Sequence, residues 1–137
     1  MAPSHADRAS ANAAAIAEWL TRRPDVSAVY YPGLADHPQR DLVARQMRLP
    51  GAMLSFELRA GEPAARRLVE ATRLFTLAES LGAVESLIEL PAAMTHLSVA
   101  GSALEVPAGL VRLSVGIEAV EDLVADLEVA LAAAAAG

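Results

Sequence analysis

The residues able to do chemistry cluster between Phe75 and Ile117, and Arg112 is the clearest of them. It stands in Leu110-Val111-Arg112-Leu113-Ser114-Val115-Gly116-Ile117-Glu118, a guanidinium inside an apolar run. In an extended strand Val111, Leu113 and Val115 share one face, and Arg112, Ser114 and Gly116 share the other. A charge so placed needs an anion, and the planar fork of arginine suits a carboxylate held by two hydrogen bonds. A salt bridge to a neighbouring Glu or Asp meets the same need, and these residues alone leave both readings open. His37 has no carboxylate or second histidine at metal-ligand spacing, so it reads as a surface residue and no metal site is expected. The absence of cysteine excludes a disulfide framework and a thiolate nucleophile.

The elements that must position these groups alternate between two periods. Ala9, Ala13, Ile16 and Leu20 make an apolar stripe on a helix near Ser4 to Arg23, capped by Ser4 or Asp7 and ended by Pro24, with Trp19 as a core anchor. Val26 to Tyr31 is strand-like, and Asp36-His37-Pro38 starts a short helix to about Met47. In the strand Met53 to Arg59, Leu54, Phe56 and Leu58 alternate with Ser55 and Glu57. A helix from Gly61-Glu62-Pro63 through Thr72 turns Ala64, Ala65, Leu68, Val69 and Thr72 inward, leaving Arg66, Arg67 and Glu70 to water. Short strands follow at Leu74 to Ala78, Ser86 to Leu90 and Val111 to Val115. A final helix carries Val120, Leu123, Val124, Leu127, Ala130 and Leu131 on one stripe, and its alanine run after Leu131 frays. This order implies a two-layer α+β domain: a small, mainly antiparallel sheet with helices on one face.

Composition narrows the function classes. A chain of 137 residues supports one domain, and 20% charged residues argue against disorder. The net charge of −6 gives no electrostatic reason to bind nucleic acid or an anionic membrane. No run reaches the roughly eighteen apolar residues of a membrane helix, and no signal-peptide core is present, so a cytoplasmic location is expected. All the basic residues except the three histidines are arginine, and the chain has no lysine.

Several ordered blocks carry a resemblance. Leu77-Ala78-Glu79-Ser80-Leu81-Gly82, Glu85-Ser86-Leu87-Ile88, Met94-Thr95-His96 and Leu110 through Glu118 resemble the carboxy-terminal domain of the Cys/Met-metabolism (transsulfuration) enzymes, which depend on pyridoxal phosphate. Ala15 to Leu20, Val29 to Leu34 and Met53 to Leu58 fit the same pattern, so it covers almost the whole chain. Ala83 departs from it, standing where the motif usually has a second glycine, and the stretch from Leu97 to Gly109 is shorter than in many members.

The resemblance implies that residues 1–137 form a single domain, the small domain of fold-type I pyridoxal-phosphate transferases, with the large cofactor-binding domain absent. It implies that Arg112 binds the α-carboxylate of the amino-acid substrate, with Ser80 beside the same carboxylate and Thr95 nearby. Glu79 would face the distal ammonium of a long substrate, which points to cystathionine γ-synthase or γ-lyase chemistry on cystathionine or a homoserine ester. His96 accompanies Thr95 as a structural residue. Family enzymes hold pyridoxal phosphate as a Schiff base on lysine, which arginine cannot form. The lysine-free chain is therefore expected to be inactive alone, to lack catalytic residues of its own and to bind no cofactor covalently. Family members are homotetramers, which implies self-association or a missing large domain as partner. A non-catalytic amino-acid-binding module, and a structural remnant needing a partner chain, are the competing readings.

Overall fold

The computed structural model describes residues 4–34, 51–77, 86–91 and 107–136. The expected helix from Asp36 to Met47 lies outside them. Helix α1 (His5–Thr21) opens with a reciprocal cap: Ser4 Oγ accepts from Asp7 N at 3.1 Å, and Ser4 N donates to Asp7 Oδ2 at 3.2 Å. Strands β1 (Val26–Tyr30) and β2 (Met53–Leu58) pair antiparallel, and α2 (Glu62–Ala71) follows. Then come β3 (Thr76–Leu77), β4 (Leu87–Glu89), β5 (Leu110–Ser114) and α3 (Val120–Ala136).

The sheet order is β1-β2-β5-β4-β3, antiparallel except for the parallel β3–β4 pair. Strand β5 is central because its core face, Val111 and Leu113, is fully buried. It meets Leu54 and Phe56 of β2 and Ile88 of β4 in one cluster with Ile16 and Leu20 of α1, Leu68 of α2 and Leu123 and Leu127 of α3. All three helices described thus pack on one face of the sheet, as the alternating and 3.6-residue patterns require. The turn into α2 is tight. Gly61 has φ +82°, and a Cβ on Gly109 would lie 3.1 Å from the Gly61 carbonyl carbon.

Three local expectations change. The alanine run does not fray: α3 continues to Ala136, with Ala130, Leu131 and Ala134 buried. Arg67 holds that end, its Nε and Nη2 donating to Ala134 O at 2.9 and 2.7 Å, so Arg67 serves the helix–helix seam rather than water. Trp19 is only partly buried at the edge of the core, with the Arg23 guanidinium 5.3 Å from its ring centroid.

Tyr31 ties α1 to the approach to β2. Its hydroxyl donates to Gly51 O at 2.8 Å and, more weakly, to Ser10 O at 3.3 Å. Burial pushes the phenol above its ordinary value, so the folded state favours the neutral ring. That contribution is complete below the unfolded value near pH 10 and is lost as pH rises through the higher folded one. Tyr31→Phe should therefore cost about 1 kcal/mol at neutral pH and flatten the alkaline decline. Urea melts between pH 7 and 11 check this: equal alkaline slopes in the two proteins would show that Tyr31 is not the titrating group.

Candidate functional site

Register decides what meets on the helix-free face. Tyr30 pairs with Ser55, Ser55 with Arg112, and Arg112 with Glu89, giving one polar row across β1, β2, β5 and β4. Arg112 Nη2 donates to Glu89 Oε2 at 2.5 Å. The Arg112 side chain is 34% exposed and that of Glu89 only 2%. Arg112 Nε is buried and has no hydrogen-bond partner among the described residues. The anion that the fold itself supplies to Arg112 is thus a neighbouring carboxylate, one of the two possibilities open from the sequence. One contact does not exhaust a guanidinium, however, because it carries five N–H donors. The side chain lies on the face away from the helices and reaches solvent.

Farther along the row, the Tyr30 hydroxyl donates to Glu57. That hydrogen bond holds the Tyr30 phenol above its ordinary range, with burial adding to it. Glu79, Ser80, Thr95 and His96 lie outside the described residues, as does His37. Of the residues expected at the site, the described part of the chain contains Arg112, with Glu89 and Ser55 as its neighbours in the sheet.

A second polar cluster braces the ends of the site strands. The buried Ser86 donates from N to Glu118 Oε2 at 3.0 Å and from Oγ to Glu118 Oε1 at 2.8 Å. Ser86 Oγ in turn accepts from Gly116 N at 2.8 Å. From α1, Asn12 Nδ2 donates to Gly116 O at 3.0 Å and Glu118 O at 2.8 Å. Ser86, Gly116 and Glu118 all belong to the sequence blocks noted above, and here they hold the start of β4 against the end of β5. Asn12 could not be found from the sequence, because it acts across more than a hundred residues.

On the helix side of the sheet, an apolar cavity of about 250 Å³ lies between Leu58, Ala64, Leu131 and Ala134, and no member of the polar row lines it. Among the described residues no three His, Cys, Asp or Glu groups could hold a metal ion, and no helix is long and apolar enough to cross a membrane.

Residues 5–132 match the pattern of the Cys/Met metabolism PLP-dependent enzymes. The chain belongs to that family. The cystathionine gamma-synthase of Mycobacterium tuberculosis (strain ATCC 25618 / H37Rv) is 61% identical over 124 residues, covering 90% of this chain and 32% of that protein. The L-methionine gamma-lyase of Pseudomonas putida is 48% identical over 132 residues, covering 94% of this chain and 33% of that enzyme. Among solved structures, cystathionine gamma synthase from Xanthomonas oryzae pv. oryzae in complex with cystathionine superposes with a TM-score of 0.90 at 50% identity, over 96% of this chain and 35% of that one. The metB structure from Corynebacterium glutamicum gives 0.89 at 55% identity, over 93% and 33%. The fold is thus the α+β portion of the family enzymes, and the chain spans about a third of the length of these relatives.

Family enzymes use pyridoxal phosphate, and the residues of this chain do not fit a covalent hold on it. The attachment chemistry needs an amine that can lose its proton and form an imine. The 137 residues include eleven arginines and no lysine. A guanidinium stays protonated and cannot substitute.

Proposed function

We propose that this chain is the substrate-carboxylate-binding portion of a pyridoxal-phosphate-dependent transsulfuration enzyme. The reaction is of the cystathionine γ-synthase or γ-lyase type, on cystathionine or a homoserine ester. The observation that carries the reading is Arg112: mid-strand, on the helix-free face, one-third exposed, with a buried Nε that has no partner among the described residues. A carboxylate bound there fixes the substrate's orientation, and orientation is a large part of what an enzyme contributes. Glu79, Ser80 and Thr95 complete the binding corner in this reading, with Glu79 toward the distal ammonium. A lysine-bearing large domain supplies the cofactor, the assembly is the homotetramer of the family, and its location is cytoplasmic. The likeness to a structure in complex with cystathionine supports the choice of substrate class.

The test joins this chain to the first two-thirds of the mycobacterial relative and compares Arg112→Ala with the parent chimera. Losing a charged hydrogen-bond pair should lower kcat/KM at least about tenfold, mainly through KM. Arg112→Lys should recover only part, because an ammonium lacks the two-point fork. An unchanged kcat/KM in Arg112→Ala would leave the Glu89 pair as a purely structural bridge.

A further inference from the structure

Glu89 lies next to Arg112 in the register of β4 and β5, and its carboxylate is nearly removed from water. Burying a carboxylate this deeply is costly unless a cation or donors meet it, and Arg112 Nη2 does so. The contact pulls the guanidinium from the β4 side, while Ser55 flanks it on the β2 side and Nε–H meets no acceptor among the described residues. Resting on the reading of Arg112 as the carboxylate-binding group, we propose that Glu89 is its positioning and specificity-determining residue. It fixes the plane of the guanidinium, so that the remaining donors form a ready edge for a single carboxylate. Its negative charge also offsets that of Arg112. The site is then nearly neutral and takes the carboxylate of a zwitterionic amino acid, while a denser anion such as phosphate gains little there.

The two roles separate by substitution. Glu89→Gln keeps an oxygen that accepts from Nη2 and removes the charge, whereas Glu89→Ala removes both. The experiment follows the Arg112 Nε–H resonance of the 137-residue chain by ¹H–¹⁵N NMR while L-cystathionine or inorganic phosphate is added, with amide spectra checking the fold. In Glu89→Gln, cystathionine should bind within about threefold of the wild type, while phosphate binds about tenfold tighter. Glu89→Ala should bind cystathionine about tenfold more weakly than Glu89→Gln. Equal cystathionine affinity in the two variants removes the positioning role. Unaltered phosphate affinity in Glu89→Gln removes the specificity role, and that arm decides if Glu89→Ala does not fold. A wild-type Arg112 Nε–H indifferent to cystathionine, or undiminished binding in Arg112→Ala, overturns instead the carboxylate reading beneath the proposal.

Discussion

Asp126→Ala is expected to lower the stability of the chain by about 3 kcal/mol and the melting temperature by about 10 °C. Asp126 sits mid-way along α3 and points at the turn between α2 and β3. Its Oδ1 accepts from Arg73 N at 2.8 Å, and its Oδ2 accepts from Leu74 N at 2.9 Å and Phe75 N at 3.1 Å. Three successive backbone donors thus converge on one carboxylate, and a hydrogen bond to a charged group contributes about 1.5–3 kcal/mol. Two of the three are exposed, so their full sum overstates the effect and the lower figure is used. The consequence is local as well as global. Phe75 is buried against the core while Leu74 is exposed, so the turn must present one side chain inward and the next outward. Thr72 Oγ1, donating to Phe75 O at 2.9 Å, closes the same turn. Asp126→Asn should recover about half the loss, since an amide oxygen cannot replace both carboxylate oxygens. Thermal melts of the two variants check this, and a shift below about 3 °C in Asp126→Ala would mean that water replaces the carboxylate without cost.

Ser86→Ala should cost about 3 kcal/mol and reach further than its size suggests. It leaves the buried Gly116 N–H unsatisfied, at about 1–3 kcal/mol, and takes from Glu118 a charge-assisted donor. Ser86→Cys would not rescue it, because a thiol is a weak donor and acceptor. Combining Ser86→Ala with Glu118→Gln should give much less than the sum of the two losses, since both act on one network. Additive losses in a double-mutant cycle from urea melts would separate the two residues. Because Ser86 immediately precedes β4, three residues before Glu89, weakening it should also broaden the Arg112 Nε–H resonance by loosening the β4–β5 pairing. The Ser86 cluster and the candidate site adjoin the same short strand.

Much of this fold is legible in its local patterns. Leu54, Phe56 and Leu58 alternate with Ser55 and Glu57, and the structure buries the first three in the core. Ala64, Ala65, Leu68 and Val69 recur at helical spacing, and they are the buried residues of α2. Periodicity reports such facts because each side chain's direction follows from its own backbone. The same logic sets Arg112 on the face opposite Val111 and Leu113, and the ordered sequence blocks carry the family resemblance by themselves.

What stayed hidden depends on strand order and register. Neighbours along a chain show which face Glu89 shares with Leu87, but not that β4 pairs with β5 so that Glu89 meets Arg112. That pairing makes a neighbouring carboxylate the internal anion of Arg112. Asn12, Asp126 and Arg67 belong to the same class. Each is a polar residue on a helix surface whose partner is a backbone group at least fifty residues away. Local sequence determines the direction in which such a side chain leaves the backbone, and only the tertiary structure determines what waits there, because hydrogen bonds require contact within about 3 Å.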